Sequence, residues 1–245
     1  MHIKICGLTR PEYVEAAASA GASFIGFMFA ERSRRHITVE ETKRLIAVLP
    51  PRDEPTVESL QLGHPGLWFQ RCADALDALI ARRRPLTVGI FANQPVALVN
   101  AVAEAADLDI IQLSGDERWE TCLQLRRPTI KALRSGSDCS CEQDLLRKAE
   151  AGTASLCLLD AEVPGEYGGT GQLADWETAA RVAASIPLML AGGLTPANVG
   201  TAIAAVRPWA VDVSSGVERD GVKDVDLIQD FVHAARSAAV EMGHA

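Results

Sequence analysis

The sequence predicts a single (β/α)8 TIM barrel of the α/β class. Three observations predict it. Short apolar segments of strand length recur along the 245 residues, and most are followed by an alanine-rich stretch with helical periodicity. The segments are apolar nearly throughout, as strands buried on both faces of a parallel sheet should be. The alternation runs to eight strands and eight helices, in about the length that such a barrel takes. An open doubly wound sheet is the competing architecture, but it more often uses roughly five or six strands.

The first strand is predicted at 3–7 and ends in Cys6-Gly7. A helix follows over 11–20. Pro11 suits its start because the missing N–H had no partner there, and Gly21 stops it. The second strand spans 24–29 and the second helix 38–49, where Thr38 and Glu41 make a capping box. Residues 51–85 then break the rhythm. They enter through the linker-like Pro50-Pro51-Arg52-Asp53-Glu54-Pro55 and leave through Arg82-Arg83-Arg84-Pro85. Leu67, Cys72, Leu76, Leu79 and Ile80 mark an amphipathic helix between them. This segment reads as a surface insertion, packed on the barrel's outside and dispensable for chemistry. An oligomer contact or a flap over the mouth is the alternative. The remaining strands are predicted at 86–91, 109–113, 128–132, 155–160, 187–191 and 209–213. The remaining helices fall at 95–106, 116–126 with Asp116 as N-cap, 140–151, 175–185, 196–206 after Thr195-Pro196, and 224–240.

Composition narrows the function. With 32 acidic and 24 basic residues the net charge is −8. No basic footprint for nucleic acid is present, and an anionic ligand must be met by a local positive site. The apolar run 16–30 contains Gly and Ser and is too short to span a bilayer, so no membrane partner is expected. Met1 leads straight into a strand without a signal-peptide pattern. The six cysteines (Cys6, Cys72, Cys122, Cys139, Cys141, Cys157) form no disulfide framework. Cys139 and Cys141 have no matching Cys/His pair, so no metal site is expected. Free thiols point to a reducing, cytoplasmic location.

Barrels bind ligands at the carboxyl ends of their strands. Cys6 ends the first strand, and Arg32-Ser33-Arg34-Arg35-His36 follows the second. The fourth ends Gln112-Leu113-Ser114-Gly115, and the sixth ends in Asp160 before a loop containing Gly168-Gly169-Thr170-Gly171. Gly192-Gly193 follows the seventh strand, and Asp212-Val213-Ser214-Ser215-Gly216 closes the eighth. Two glycine-bearing turns with a short helix start can cradle a phosphate through backbone N–H groups. Ordinary turn glycines are the alternative there. A small buried thiol is the alternative for Cys6, and a carboxylate satisfied by backbone N–H groups for Asp160. The Gly168–Gly171 loop lacks the strand–turn–helix setting of a dinucleotide fingerprint. It reads instead as a cover that closes over substrate.

Taken together, the chain resembles the phosphoribosylanthranilate isomerases, barrel enzymes of tryptophan biosynthesis. The resemblance rests on Lys4-Ile5-Cys6-Gly7-Leu8-Thr9, on Gly26-Phe27-Met28-Phe29 with Ser33-Arg34-Arg35, and on Leu158-Leu159-Asp160 through Gly171 to Asp175-Trp176. Ala191-Gly192-Gly193-Leu194 with Asn198-Val199, and Val211 through Glu218 with Lys223-Asp224, complete it. These pieces cover the chain in the family's order, apart from the insertion. The resemblance implies an Amadori rearrangement, in which an aldose amine opens to an enolamine and becomes an aminoketose. It implies Asp160 as the acid at the ring oxygen and Cys6 as the base at the sugar's second carbon. It implies that Arg35 contacts the anthranilate carboxylate, that Asp212 lines the substrate, and that Gly192, Gly193, Ser214, Ser215 and Gly216 hold the phosphate. No cofactor and no metal are implied, the partner is a small phosphorylated substrate, and the chain is a monomer or homodimer.

Two departures stand out. The family has Gln-Leu-His-Gly where this chain has Gln112-Leu113-Ser114-Gly115, and the 51–85 insertion is not typical. A differently specific sugar-phosphate barrel, such as the histidine-pathway isomerases with paired aspartates, is one alternative, and Cys6 argues against it. A non-catalytic phosphate-binding barrel is another, and Cys6 with Asp160 argues against that.

Overall fold

Strands apolar on both faces need cover on both, and a closed barrel wrapped in helices supplies it. The computed structural model describes residues 1–51, 68–83, 85–135, 153–161 and 176–243. Eight parallel strands close in chain order: β1 (His2–Cys6), β2 (Phe24–Met28), β3 (Leu86–Phe91), β4 (Ile110–Leu113), β5 (Thr129–Ser135), β6 (Leu156–Ala161), β7 (Leu188–Leu190) and β8 (Ala210–Val213). β1 pairs with β2 on one side and β8 on the other, which completes the ring. The described α-helices are α1 (Pro11–Ala20), α2 (Val39–Ile46), α3 (Trp68–Arg83), α4 (Val96–Ala105), α5 (Trp176–Ala183), α6 (Val199–Val206) and α7 (Val225–Glu241). A short antiparallel ribbon, β9 (Glu218–Arg219) and β10 (Val222–Lys223), follows β8.

The side-chain period of two splits the core into shells. Inward residues such as Phe24, Val88, Ile110, Ile130, Leu158 and Met189 fill the barrel. Outward residues such as Ile3, Ile25, Phe27, Ile111, Leu159 and Val211 pack beneath the helices. Local signals act as expected at several ends. Thr38 and Glu41 form the capping box of α2. Gly21 ends α1 in the left-handed region at φ 91°. Asp224 caps α7 by accepting from the Leu227 N–H at 3.0 Å.

Two starts differ from the sequence expectation. The 116–126 segment forms a 3-10 helix over Trp119–Gln124 after Arg118, not an α-helix capped by Asp116. Asp116 is instead tied to Asn93, whose Oδ1 accepts from its N–H at 2.8 Å. Residues 195–198 form a turn, and α6 begins only at Val199. There the Asn198 amide accepts from the Thr195 N–H at 2.8 Å and donates to Gly193 O at 2.9 Å, which fixes the turn after β7. The helix expected at 140–151, the loop over Gly168–Gly171 and residues 52–67 lie outside the described residues. None of the described helices is long and apolar enough to cross a membrane.

The amphipathic helix of the insertion is α3, and its place is the amino-terminal end of the barrel. Asp77 accepts from the His2 ring at 2.7 Å, at the start of β1, and from Trp209 Nε1 at 3.2 Å, just before β8. Trp68 Nε1 donates to Ala154 O, just before β6. Leu76 and Ile80 are each 1% exposed and join the inward cluster with Phe24, Leu86 and Ala210. The helix thus seals the end of the barrel opposite to the strand ends that carry the candidate residues. A cleft of about 410 Å3 opens beside it, lined among others by His2, Asp77, Arg207 and Trp209.

Candidate active site

Strand parity and register decide which side chains can meet. Cys6 belongs to the inward shell, and so by the period of two does Lys4. The same parity turns Asp160 inward behind Leu158 on β6, and Asp212 inward behind Ala210 on β8. All lie at or near the carboxyl ends of their strands.

Lys4 and Asp212 are register partners on neighbouring strands. Lys4 Nζ donates to Asp212 Oδ1 at 2.9 Å, and the lysine is 0% exposed. A buried ammonium is tolerated only when paired and hydrogen-bonded. Burial by itself would lower the Lys4 pKa, but Asp212 and Cys6 together hold it above the ordinary value. The Cys6 thiol is pushed up by burial, while the charge of Lys4 acts to pull it down. Asp212 opposes that pull and Lys223 adds to it. Gly26 of β2 gives the sulfur its space. A Cβ there would stand 3.0 Å from Cys6 Sγ and 3.1 Å from Cys6 Cα.

A second cluster centres on Glu218. Arg35 Nε donates to Glu218 Oε1 at 2.6 Å and Arg35 Nη2 to Oε2 at 2.9 Å, a two-pronged contact. Arg34 Nη2 reaches Oε2 at 2.6 Å and Lys223 Nζ reaches Oε1 at 2.7 Å. Three cations about one carboxylate leave the cluster net positive, a local positive site within an acidic protein. Burial would raise the Glu218 carboxyl, but its bonds to Arg35 and Lys223 hold it below the ordinary glutamate value. Burial keeps Lys223 below the ordinary lysine value, against the pull of Glu218. The Arg35 chain crosses directly over Gly7, where a Cβ would lie 2.6 Å from Arg35 Cδ. Gly7 also sits at φ 74°, so this position asks for glycine twice over.

The turns after β7 and β8 touch. A Cβ on Gly216 would stand 1.8 Å from Leu194 O, so only glycine lets them meet this closely. Gly192 and Gly193 have φ of 89° and 63°. Ser215–Val217 is a single 3-10 turn. Ser214 joins the turns to the first strand, with Oγ 3.4 Å from Cys6 O, and its own carbonyl accepts from Lys223 Nζ at 2.8 Å.

The structure thus brings Cys6, Arg35, Asp212 and Ser214 into one contiguous group, with Gly192, Gly193, Ser215 and Gly216 on its edge. Asp160 is half-buried on β6, three strands round the ring from β1 and facing the same end. Ser114 accepts from Gln112 Nε2 at 2.9 Å. Gln112 Oε1 is buried and has no hydrogen-bond partner among the described residues. Sequence reasoning gave no role to Lys4, Glu218 or Lys223. The signal for Lys4 was available, as a lone charge at inward parity in an apolar strand.

The comparisons with known proteins agree with the closed barrel. The family model described as PRAI, N-(5'-phosphoribosyl)anthranilate (PRA) isomerase, matches residues 70–234. The N-(5'-phosphoribosyl)anthranilate isomerase of Roseiflexus castenholzii is 42% identical over 241 residues, covering 98% of this chain and 100% of that one. Two longer relatives are spanned only in part. The chain covers 46% of a tryptophan biosynthesis protein of Phytophthora nicotianae and 33% of a multifunctional one of Phycomyces blakesleeanus. Among solved structures, the phosphoribosyl anthranilate isomerase of Thermotoga maritima aligns with a TM-score of 0.74 at 33% identity, covering 97% of this chain and 99% of that one. With the closed barrel, the family model and the relatives covered over nearly their whole length in agreement, the chain belongs to the N-(5'-phosphoribosyl)anthranilate isomerase family.

Proposed function

We propose that the chain catalyses the Amadori rearrangement of N-(5-phosphoribosyl)anthranilate to 1-(2-carboxyphenylamino)-1-deoxyribulose 5-phosphate, a step of tryptophan biosynthesis. The observation that carries this is the placement of Cys6 and Asp160, both turned inward at the carboxyl ends of β1 and β6 of one closed barrel. A related structure is described as a complex with reduced 1-(O-carboxyphenylamino)-1-deoxyribulose 5-phosphate, and it aligns over 97% of this chain at 31% identity with a TM-score of 0.71. Asp160 donates its proton to the ring oxygen, the C1–O bond breaks, and an imine forms. Cys6 then takes the proton from the sugar's second carbon, which gives the enolamine and, after tautomerisation, the aminoketose.

Arg35 receives the anthranilate carboxylate. Its Nε and one Nη2 hydrogen serve Glu218, which leaves the Nη1 edge of the guanidinium for a second two-pronged contact. The turns at Gly192-Gly193 and Ser214-Ser215-Gly216 cradle the phosphate, and Asp212 lines the sugar. The free thiols Cys6, Cys72, Cys122 and Cys157 support a cytoplasmic location. The test is a coupled assay that follows the loss of phosphoribosylanthranilate fluorescence with purified protein. Turnover that depends on Cys6 and Asp160 supports the reading, and no turnover of this substrate ends it.

A further inference from the structure

Lys4 stands one inward position below Cys6 on β1 and is sealed from solvent. A lysine in a barrel interior costs the fold desolvation free energy that an apolar side chain of similar volume would not. Its ammonium meets Asp212 Oδ1 at 2.9 Å, and Cys6 stands two residues on, at the same inward parity of β1. The charged groups that face this sulfur are Lys4 from its own strand, Asp212 from β8 and Lys223 from β10. Lys223 spends its donors on Glu218 at 2.7 Å and on Ser214 O at 2.8 Å. That leaves Lys4, two residues away on the same strand, as the ammonium whose charge acts most strongly on the sulfur.

We propose that Lys4 is the positioning residue for the base. Anchored by Asp212 beneath Cys6, its ammonium stabilises the thiolate that removes the sugar proton. This rests on the reading of Cys6 as that base. In the step, Sγ takes the proton from C2, the C–H electron pair becomes the C1=C2 bond, and the imine C=N pair moves to nitrogen. Lys4 keeps its protons throughout. The sulfur is a thiolate before the step and a thiol after it. A fixed cation beside it therefore favours the reactive form over a thiol in an apolar pocket.

The experiment compares wild type with Lys4→Gln, which keeps a donor of similar length but removes the charge. Two pH profiles are measured on the full chain: kcat/KM, and the rate of alkylation of Cys6 by iodoacetamide, read by peptide mass mapping. The expected result is an upward move of both the acid limb and the alkylation midpoint by about one pH unit or more, with alkylation at neutral pH slowed about tenfold. A variant whose two profiles stay in place while kcat falls equally at every pH would make Lys4 merely structural and overturn the proposal. If alkylation shifts and the rate profile does not, Lys4 still sets the ionisation of Cys6, and the assignment of Cys6 as base fails instead. Should Lys4→Gln not fold, Lys4→Gln with Asp212→Asn removes the unpaired carboxylate and permits the same alkylation measurement. Its midpoint is expected above wild type, because Lys4 acts on the sulfur more strongly than Asp212 does. A midpoint at or below wild type would overturn the proposal.

Discussion

Cys6 and Asp160 stand out in the sequence as candidates because each closes an apolar strand, and the strand ends of a parallel barrel are where its ligands bind. Their expected variants are direct. Cys6→Ser and Asp160→Asn should each lower kcat by about a hundredfold or more, the usual scale of acid–base assistance. Near wild-type turnover in either would remove its role. Glu218 is different. Its partners Arg34 and Arg35 lie 184 and 183 residues away in sequence, so no local pattern announces it. Glu218→Gln would leave Arg35 and Lys223 buried without their counter-charge, a loss of about 3 kcal/mol at neutral pH. The sign with pH follows from the lowered folded value. Such a carboxylate contributes its full stability above the unfolded value, near 4.5, and loses it as pH falls through the folded one. The gap between wild type and variant in urea unfolding should therefore be widest near neutrality and close below that value. A gap that stays constant into acid would show that the Glu218 charge adds no stability.

Periodicity and capping residues located the strands and most of the helices, because burial on both faces and a capping box act within a few residues. The misplaced starts have local causes. Asp116 was expected to cap a helix, but its side chain and N–H are taken by Asn93 across the neighbouring loop. Thr195-Pro196 begins a turn because Asn198 reaches back to Thr195 and Gly193. That same turn abuts the one carrying Gly216, and the pair form the proposed phosphate cradle. Inorganic phosphate should raise Tm with concentration, as a ligand of the folded state does. In crystals it should lie between Gly192-Gly193 and Ser214-Ser215-Gly216. An ion located elsewhere, with these turns unoccupied, would withdraw the cradle.

Across the whole molecule the two ends of the barrel divide the work. The carboxyl end holds the charged clusters about Cys6 and Glu218. The amino end is closed by α3, whose apolar face the sequence revealed but whose target it did not, because Leu76 and Ile80 meet strands that begin before and after them in the chain. The expectation that residues 52–84 are dispensable for chemistry thus becomes a statement about two separable properties. Leu76→Ala should cost about 2–5 kcal/mol, since it opens a cavity beneath the barrel floor. In a chain of this length that lowers Tm by several degrees. At a temperature where the variant stays folded, its kcat/KM should match wild type, because the strand ends that hold Cys6 and Asp160 are at the far end. Excision of 68–83 goes further. It exposes the floor residues Phe24, Leu86 and Ala210 and removes the Asp77 contacts to His2 and Trp209. That variant should therefore unfold or aggregate at temperatures the wild type tolerates. Thermal unfolding and isomerase kinetics measured on the same samples decide the matter. A Leu76→Ala protein of unchanged Tm would contradict the burial of that face. One that stays folded yet loses activity by several orders of magnitude would show that the two ends are coupled, and the division of stability from chemistry would have to be given up.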